Sequence, residues 1–468
     1  MSGDAHTGSS KDDGEIGLPM TPRLSSTLVI LAPSRSSGST RSWEAPWMRT
    51  LMVQRSSRKG SSFRSAVVFP GGVVDDADFE TAEIACEAKT YNDEKERKAE
   101  VKELAIRIAA VRETFEETGL LLVPSRAEAR GSIPRCRAVG AGEAGMSVEE
   151  WTAMRDKVHT SAKTFLPFLQ KVYERSIGSG FPKESIPVAN MAAYSRWITP
   201  KTVVRPAKRF DAHFMLTVLD AEDVLSPAGP GPSGVERMAS GDVSGLSADQ
   251  QEVQMLRTDT PAELVEEALA QKLIMFPPQF YILADLASAL AQPVEEPLST
   301  IRPLIFSDPK SRDADQSSSA HGGPASSATV SSVITESRKA SMSPMGQLTA
   351  VEPRAVVESG APVPSKAGAA EEQGQQYAFP LVLPGDVASS APQRLAAGLP
   401  ARAPGRRQGR EAPPPPLNRV IVSPRAGNLS VCGVIRRGMP GLHDFTFGWP
   451  GLEPAVKDGA ETAATARL

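Results

Sequence analysis

Three glutamates, Glu113, Glu116 and Glu117, follow Arg112 in the run Arg112-Glu113-Thr114-Phe115-Glu116-Glu117-Thr118-Gly119-Leu120. On a helix, the spacing i, i+3, i+4 puts three carboxylates on one face within a turn. Like charges at that spacing cost about 0.2–0.5 kcal/mol per pair in an isolated helix. Arg112, four residues before Glu116, relieves only part of this. Water can solvate such a face, and for a bare Glu-x-x-Glu-Glu that is the simpler reading. A hard divalent cation instead gains from the crowding, because it takes convergent carboxylate oxygens. Gly119 fits the C-cap that stops the helix.

The neighbouring segments supply what must position these groups. Leu104, Ile108, Val111 and Phe115 recur at helical spacing and predict an apolar face turned to the core, with the acidic side facing elsewhere. Leu120 to Val123 reads as a strand ended by Pro124. Upstream, 25–32 and 50–55 read as two strands of a hairpin that opens the domain. A basic, serine-rich loop from Arg55 to Arg64 then leads into Phe69-Pro70-Gly71-Gly72. Cations beside a metal site suit a multiply phosphorylated substrate. Downstream, Ser147 and Glu150 form a capping box for a helix running to about Val172. Strands are expected at 194–200, 208–216 and 252–256. A helix with Pro261 at its first position follows, then a last helix from about Met275 to Ala291. Segments 419–422 and 429–437 read as strands returning to the fold.

The chain has 468 residues, with 52 Lys+Arg against 55 Asp+Glu, a formal net charge of −3. That near balance gives no bias toward nucleic acid. Cys86, Cys136 and Cys432 are scattered, which argues for a reducing compartment rather than a disulfide framework or zinc site. No apolar run reaches the length of a membrane span, and the first residues lack the apolar core of a secretory signal.

Taken together, Gly72 and the Arg112–Leu120 run resemble the Nudix box, G-x5-E-x7-R-E-U-x-E-E-x-G-U with U apolar. Thr114 stands where the first U belongs. Leu51-Met52-Val53-Gln54-Arg55-Ser56, closing at Phe69-Pro70-Gly71-Gly72, is similar in part to the signature that accompanies the box in coenzyme A diphosphatases. Between Gly72 and Arg112 lie 39 residues where the consensus has thirteen, so about 26 are inserted. Counting back from Arg112 puts Leu104 in the place of the consensus Glu, with Glu103 next to it. An insertion here resembles the peroxisomal coenzyme A diphosphatase branch, as does Phe69-Pro70-Gly71-Gly72-Val73-Val74-Asp75-Asp76-Ala77-Asp78. Trp197-Ile198-Thr199-Pro200, Lys208-Arg209-Phe210-Asp211 and Pro277-Pro278-Gln279-Phe280-Tyr281 resemble the same branch. The closing Ala466-Arg467-Leu468 resembles a peroxisomal signal.

The resemblance implies an α/β fold, a Nudix-type α/β/α sandwich with a mixed sheet, joined here to long disordered segments. It implies a diphosphatase using Mg2+ or Mn2+. Arg112, Glu113, Glu116 and Glu117 would be catalytic, and the three glutamates would hold the metal. Arg55, Arg58, Lys59, Gly71 and Gly72 would meet the substrate, Glu252 is the candidate distal base, and Arg209 and His213 either line the pocket or serve structure. The substrate is a small molecule with a nucleoside diphosphate linkage, coenzyme A or an acyl-coenzyme A. NADH, ADP-ribose and capped RNA are the alternatives, and a non-catalytic binding module is the alternative of another class. The further partner is the peroxisomal import receptor, and the location is the peroxisome matrix, or the cytoplasm if the signal is not used. The expected organisation is a flexible tail at 1–23, the hydrolase domain at 24–306 with a helical surface insertion near 75–100 and a mobile loop near 226–246, a disordered linker at 307–416 with an apolar island at 377–386, returning strands at 417–452, and a tail at 453–468.

Overall fold

A computed structural model describes residues 21–33, 48–57, 65–87, 89–125, 134–177, 186–200, 209–220, 253–291 and 301, and the strand backbones at 350–351, 354–355, 379–382, 417–425, 428–437 and 445–448. In chain order the elements begin with β1 (Arg23–Pro33), β2 (Met48–Arg55), β3 (Val67–Val68) and β4 (Gly71–Val73). Next come α1 (Asp76–Glu87), α2 (Glu94–Thr118), β5 (Leu121–Pro124) and β6 (Arg135–Val139). Then come α3 (Val148–Thr160), α4 (Phe165–Ile177), β7 (Ala192–Ile198) and β8 (Phe210–Leu219). They are followed by β9 (Val253–Asp259), α5 (Pro261–Leu269) and α6 (Pro277–Leu290). The remaining strands are β10 (Ala350–Val351), β11 (Arg354–Ala355), β12 (Phe379–Val382), β13 (Leu417–Arg425), β14 (Asn428–Arg437) and β15 (Phe445–Gly448).

β1 is the axis of a mixed sheet that has ten strands among the described residues. It runs antiparallel to β2 and β4 and parallel to β8. Its side chains alternate as a strand buried on both faces requires. Leu28, Ile30 and Ala32 pack with α2, α3, α4, β5 and β6, whereas Val29 and Leu31 pack with α5 and α6. The α/β/α sandwich is therefore present. A further layer lies beyond it: β11 to β15 form a separate antiparallel sheet. Val420, Val422, Val431 and Val434 join the α5/α6 side of the core, and the Val431 amide donates to the Met275 carbonyl at 3.2 Å.

Several expectations change. The insertion is helical, as α1 and the first turns of α2, but it is not only a surface excursion. Ala77, Asp78, Ala82 and Cys86 are buried. The helix expected from Ser147 to Val172 is broken at Ser161, where α3 ends. Pro167 explains the break, because a residue without an N–H is tolerated in the first turn of a helix and not in its interior. It sits in the first turn of α4. The segment read as a disordered linker contains β10 to β12. β10 lies parallel to β7, and β12, within the expected apolar island, pairs with β13. Arg23, assigned to the tail, opens β1. The rest of the tail up to residue 20, the loop at 226–246 and most of 307–416 lie outside the described residues. Among the described residues no helix is long and apolar enough to cross a membrane.

Candidate active site

The acidic run ends α2. The helix starts at Asp93, whose side chain accepts from the Glu96 amide at 2.7 Å, and stops at Gly119, which takes φ 75° and donates to the Phe115 carbonyl at 2.8 Å. A left-handed C-cap favours glycine because no Cβ opposes it. The Thr114 side chain, in the place of an apolar residue, is fully buried. Its hydroxyl donates to the Ala110 carbonyl at 2.7 Å, which satisfies it within the helix. Core and acidic face are not segregated as expected. Glu116 and Glu117 are buried beside Phe115.

Arg112 organises the carboxylates. Its Nε and Nη2 grip Asp78 bidentately at 3.0 and 2.9 Å. Nη1 donates to Glu113 at 3.0 Å and to Glu116 at 2.6 Å, and Nη2 also donates to the Val73 carbonyl at 3.1 Å. All five guanidinium N–H groups are thereby engaged. Burial alone would lower the Arg112 pKa, but the bond to Asp78 and the charges of Glu113, Asp78 and Glu116 carry it above its ordinary value. Asp78 is raised by burial, against the pull of Arg112.

Asp78 corrects the sequence reading. Leu104, placed by counting back from Arg112, packs against the core, and its neighbour Glu103 pairs with Arg107 on the same helix. Counted forward from Gly72 by the family's own spacing, the acidic position falls on Asp78. The inserted residues thus lie between Asp78 and Arg112, and the α1–α2 fold brings the two back together. That forward count is the signal that would have found Asp78.

The glycine loop meets the helix directly. A Cβ on Gly72 would collide with the Glu113 carboxylate, so any other residue here would force that carboxylate to move. The Gly71 amide donates to Glu117 Oε2 at 2.9 Å, and Arg55 Nη1 donates to Glu117 Oε1 at 3.3 Å. Arg55, expected at the substrate, here touches a site carboxylate. Arg58, Lys59, Glu252 and Ala466, Arg467 and Leu468 lie outside the described residues. Arg209 donates to the Thr199 carbonyl at 2.9 Å, closing the β7–β8 connection. His213 is buried on β8, in register with Ser26, which is itself in register with Gly72. Neither ring nitrogen makes a hydrogen bond among the described residues, with Asp211 Oδ1 at 3.5 Å.

Sequence reasoning placed a helix at Ser147 but missed what α3 does at the site. Its Arg155 donates to the Glu116 main-chain carbonyl at 2.6 Å, its Trp151 to the Gly119 carbonyl at 3.0 Å, and His159 lies 3.2 Å from Glu116 Oε2.

Four carboxylates, those of Asp78, Glu113, Glu116 and Glu117, are in contact with the two guanidiniums of Arg112 and Arg55. The surplus is negative, and burial together with the Glu116 charge pushes Glu113 up to about 7 despite Arg112. Among the described residues no three His, Cys, Asp or Glu side chains are placed to hold a metal ion. The donor chemistry nevertheless fits one, because it is all oxygen and in excess of the cations present.

A family model described as the NUDT19 Nudix domain matches residues 81–228. The curated proteins include relatives named acyl-coenzyme A diphosphatase NUDT19. The one from Gallus gallus is 28% identical over 268 residues, 51% of this chain and 61% of its own length. The one from Xenopus laevis is 24% identical over 50% of this chain and 59% of its own length. The one from Homo sapiens is 25% identical over 58% of this chain and 70% of its own length. The chain thus spans about three-fifths of the length of the first relatives it matches. Among solved structures, a NUDIX hydrolase from Alicyclobacillus acidocaldarius aligns with a TM-score of 0.34 and 17% identity, over 58% of this chain and 91% of that one.

Proposed function

We propose that this chain, which belongs to the Nudix superfamily and carries a domain of the NUDT19 type, is a metal-dependent hydrolase of the diphosphate in coenzyme A or an acyl-coenzyme A. The observation that carries the reading is the grip of Arg112 on Asp78, Glu113 and Glu116 while Gly72 abuts Glu113. Both parts of the interrupted box meet in one place. The substrate class comes from the relatives' name and from the partial coenzyme A signature ending at Gly72.

In this reaction the oxygen of water bonds to one phosphorus, the bridging P–O bond breaks, and 3′,5′-ADP and (acyl-)4′-phosphopantetheine leave. The diphosphate's own negative charge repels the nucleophile. Mg2+ or Mn2+ held by Glu113, Glu116 and Glu117 would supply charge neutralisation and Lewis acidity. Arg112 sets the rotamers of Glu113 and Glu116 by engaging one oxygen of each. Gly71 and Arg55 set Glu117. One of these glutamates takes the proton from water, and Arg58 and Lys59 meet the substrate's phosphates.

The test offers coenzyme A, an acyl-coenzyme A, NADH, ADP-ribose and capped RNA to the purified full chain with Mg2+ or Mn2+, beside Glu117→Gln. Release of 3′,5′-ADP from the coenzyme A substrates, lost in the variant, is the expected result. No product from any substrate would leave a binding module, and turnover of NADH alone would reject the narrower substrate. Peroxisomal location belongs to the same proposal and rests on Ala466, Arg467 and Leu468. An N-terminally tagged chain should reach peroxisomes through the import receptor, and removal of these three residues should leave it in the cytosol. Unchanged location after removal would reject this part.

A further inference from the structure

α3 lies outside the box, yet it handles the box's last turn. Trp151, Arg155 and His159 recur at i, i+4 and i+8, which puts them on one stripe of α3. The stripe is set from the helix start, where Ser147 and Glu150 close a reciprocal capping box at 3.2 and 2.8 Å. Each member meets the end of α2. Trp151 donates to the Gly119 carbonyl and packs its ring edge-on against Phe115, with centroids 5.3 Å apart. Arg155 donates to the Glu116 carbonyl. His159 Nδ1 faces Glu116 Oε2 at 3.2 Å.

This arrangement answers two problems of α2. The last carbonyls of a helix lack partners within it, and its C-terminal end disfavours negative charge. Here the last turns carry three glutamates, and no basic residue lies in the final turn. Trp151 and Arg155 supply the carbonyl partners, and Arg155 supplies the cation. His159 does something different, because it addresses a side chain. Glu116 Oε1 is held by Arg112 Nη1 at 2.6 Å, and His159 holds Oε2. A carboxylate oxygen accepts, so the facing Nδ1 carries the proton. With a separate partner on each oxygen, the Glu116 carboxylate is restrained. Trp151 and Arg155 are buried, whereas the His159 side chain is 38% exposed, so core packing does not require it.

We propose that α3 is the positioning arm of this site, and that His159 holds the Glu116 carboxylate in the orientation needed for binding a divalent cation. The inference rests on the metal-dependent reading above. Groups that hydrogen-bond a ligating carboxylate typically change metal affinity by about 10–100-fold when removed.

Titration of the full chain with Mn2+, followed by the electron paramagnetic resonance of the free ion, tests it. His159→Ala is expected to weaken Mn2+ binding about 10–100-fold and to leave the thermal midpoint unchanged. His159→Asn, whose amide N–H can replace Nδ1–H, is expected to recover most of the affinity. Wild-type affinity in His159→Ala, or an Asn variant no tighter than Ala, would overturn the inference while leaving the Nudix reading intact. A loss of thermal stability in both variants in step with affinity would reduce His159 to a structural role and equally overturn it. Absence of Mn2+ binding by the wild type would reject the metal-dependent reading itself, and the inference with it.

Discussion

Two buried arginines in this molecule do opposite things with similar chemistry. Arg436 on β14 is fully buried and pairs with Asp285 of α6, which also accepts from the Tyr194 hydroxyl of β7. The ring of Tyr281 lies 5.6 Å from the Arg436 guanidinium. Arg112 is almost as deeply buried but grips three carboxylates, with a fourth, Glu117, close by on the same helix end. Burial by itself would lower both guanidinium pKa values, and in both the carboxylates reverse the effect. The Arg436 cluster sets one guanidinium against one carboxylate, and it joins the second sheet to the sandwich. The Arg112 cluster carries surplus negative charge, with four carboxylates in contact with the guanidiniums of Arg112 and Arg55. Buried ion pairs are weak evidence for stability in themselves. The informative difference is the surplus.

Four experiments would break or sharpen this contrast. The largest effect is expected for Glu117→Gln, which removes one surplus carboxylate. Hydrolysis should fall by about 10²–10⁴-fold, the range for losing a positioned proton-transfer group, while the thermal midpoint holds. A large loss of stability would mean that the surplus is structural. Next, Asp285→Asn leaves Arg436 buried without its carboxylate and should lower unfolding free energy in urea by about 3–5 kcal/mol. Asp78→Asn should cost less, about 1–3 kcal/mol, because Arg112 keeps Glu113 and Glu116. Equal losses would erase the contrast. Gly72→Ala should displace Glu113 and reduce turnover by about 10²-fold, the scale of an ångström's misplacement, with unchanged circular dichroism. Wild-type turnover would show that the close approach is not used.

The smallest effect concerns His213, a buried group with no surplus around it. Burial holds its imidazole below the ordinary 6.5, against the pull of Asp211. The unfolded chain therefore binds the proton more readily. The group's contribution is complete above about pH 6.5 and is lost as pH falls toward the depressed folded value, by at most about 1.4 kcal/mol per pH unit. Urea unfolding at several pH values should show this slope in the wild type and a flatter one in His213→Asn. Identical slopes would assign the acid loss to other groups.

Much of the fold was legible because it follows from local pattern. The apolar run in β1, the capping box at Ser147, Pro261 at the start of α5 and Gly119 at the end of α2 are each set by a few adjacent residues. The break before α4 was present in the sequence as Pro167. The separate sheet of β11 to β15 was less legible, because its strands are dispersed from Arg354 to Gly448 and only their pairing shows that they avoid the main sheet.

By itself, the sequence determined the helix, its acidic face, its glycine stop and the glycine loop, because these depend on spacing along one helix and one turn. The tertiary structure alone decided which residues join them. Asp78 reaches Arg112 across 34 positions, and His159 reaches Glu116 across 43. No periodicity links residues so far apart. The α1–α2 and α2–α3 packing makes them neighbours, and that packing turns a crowded helix face into a cluster with every carboxylate held.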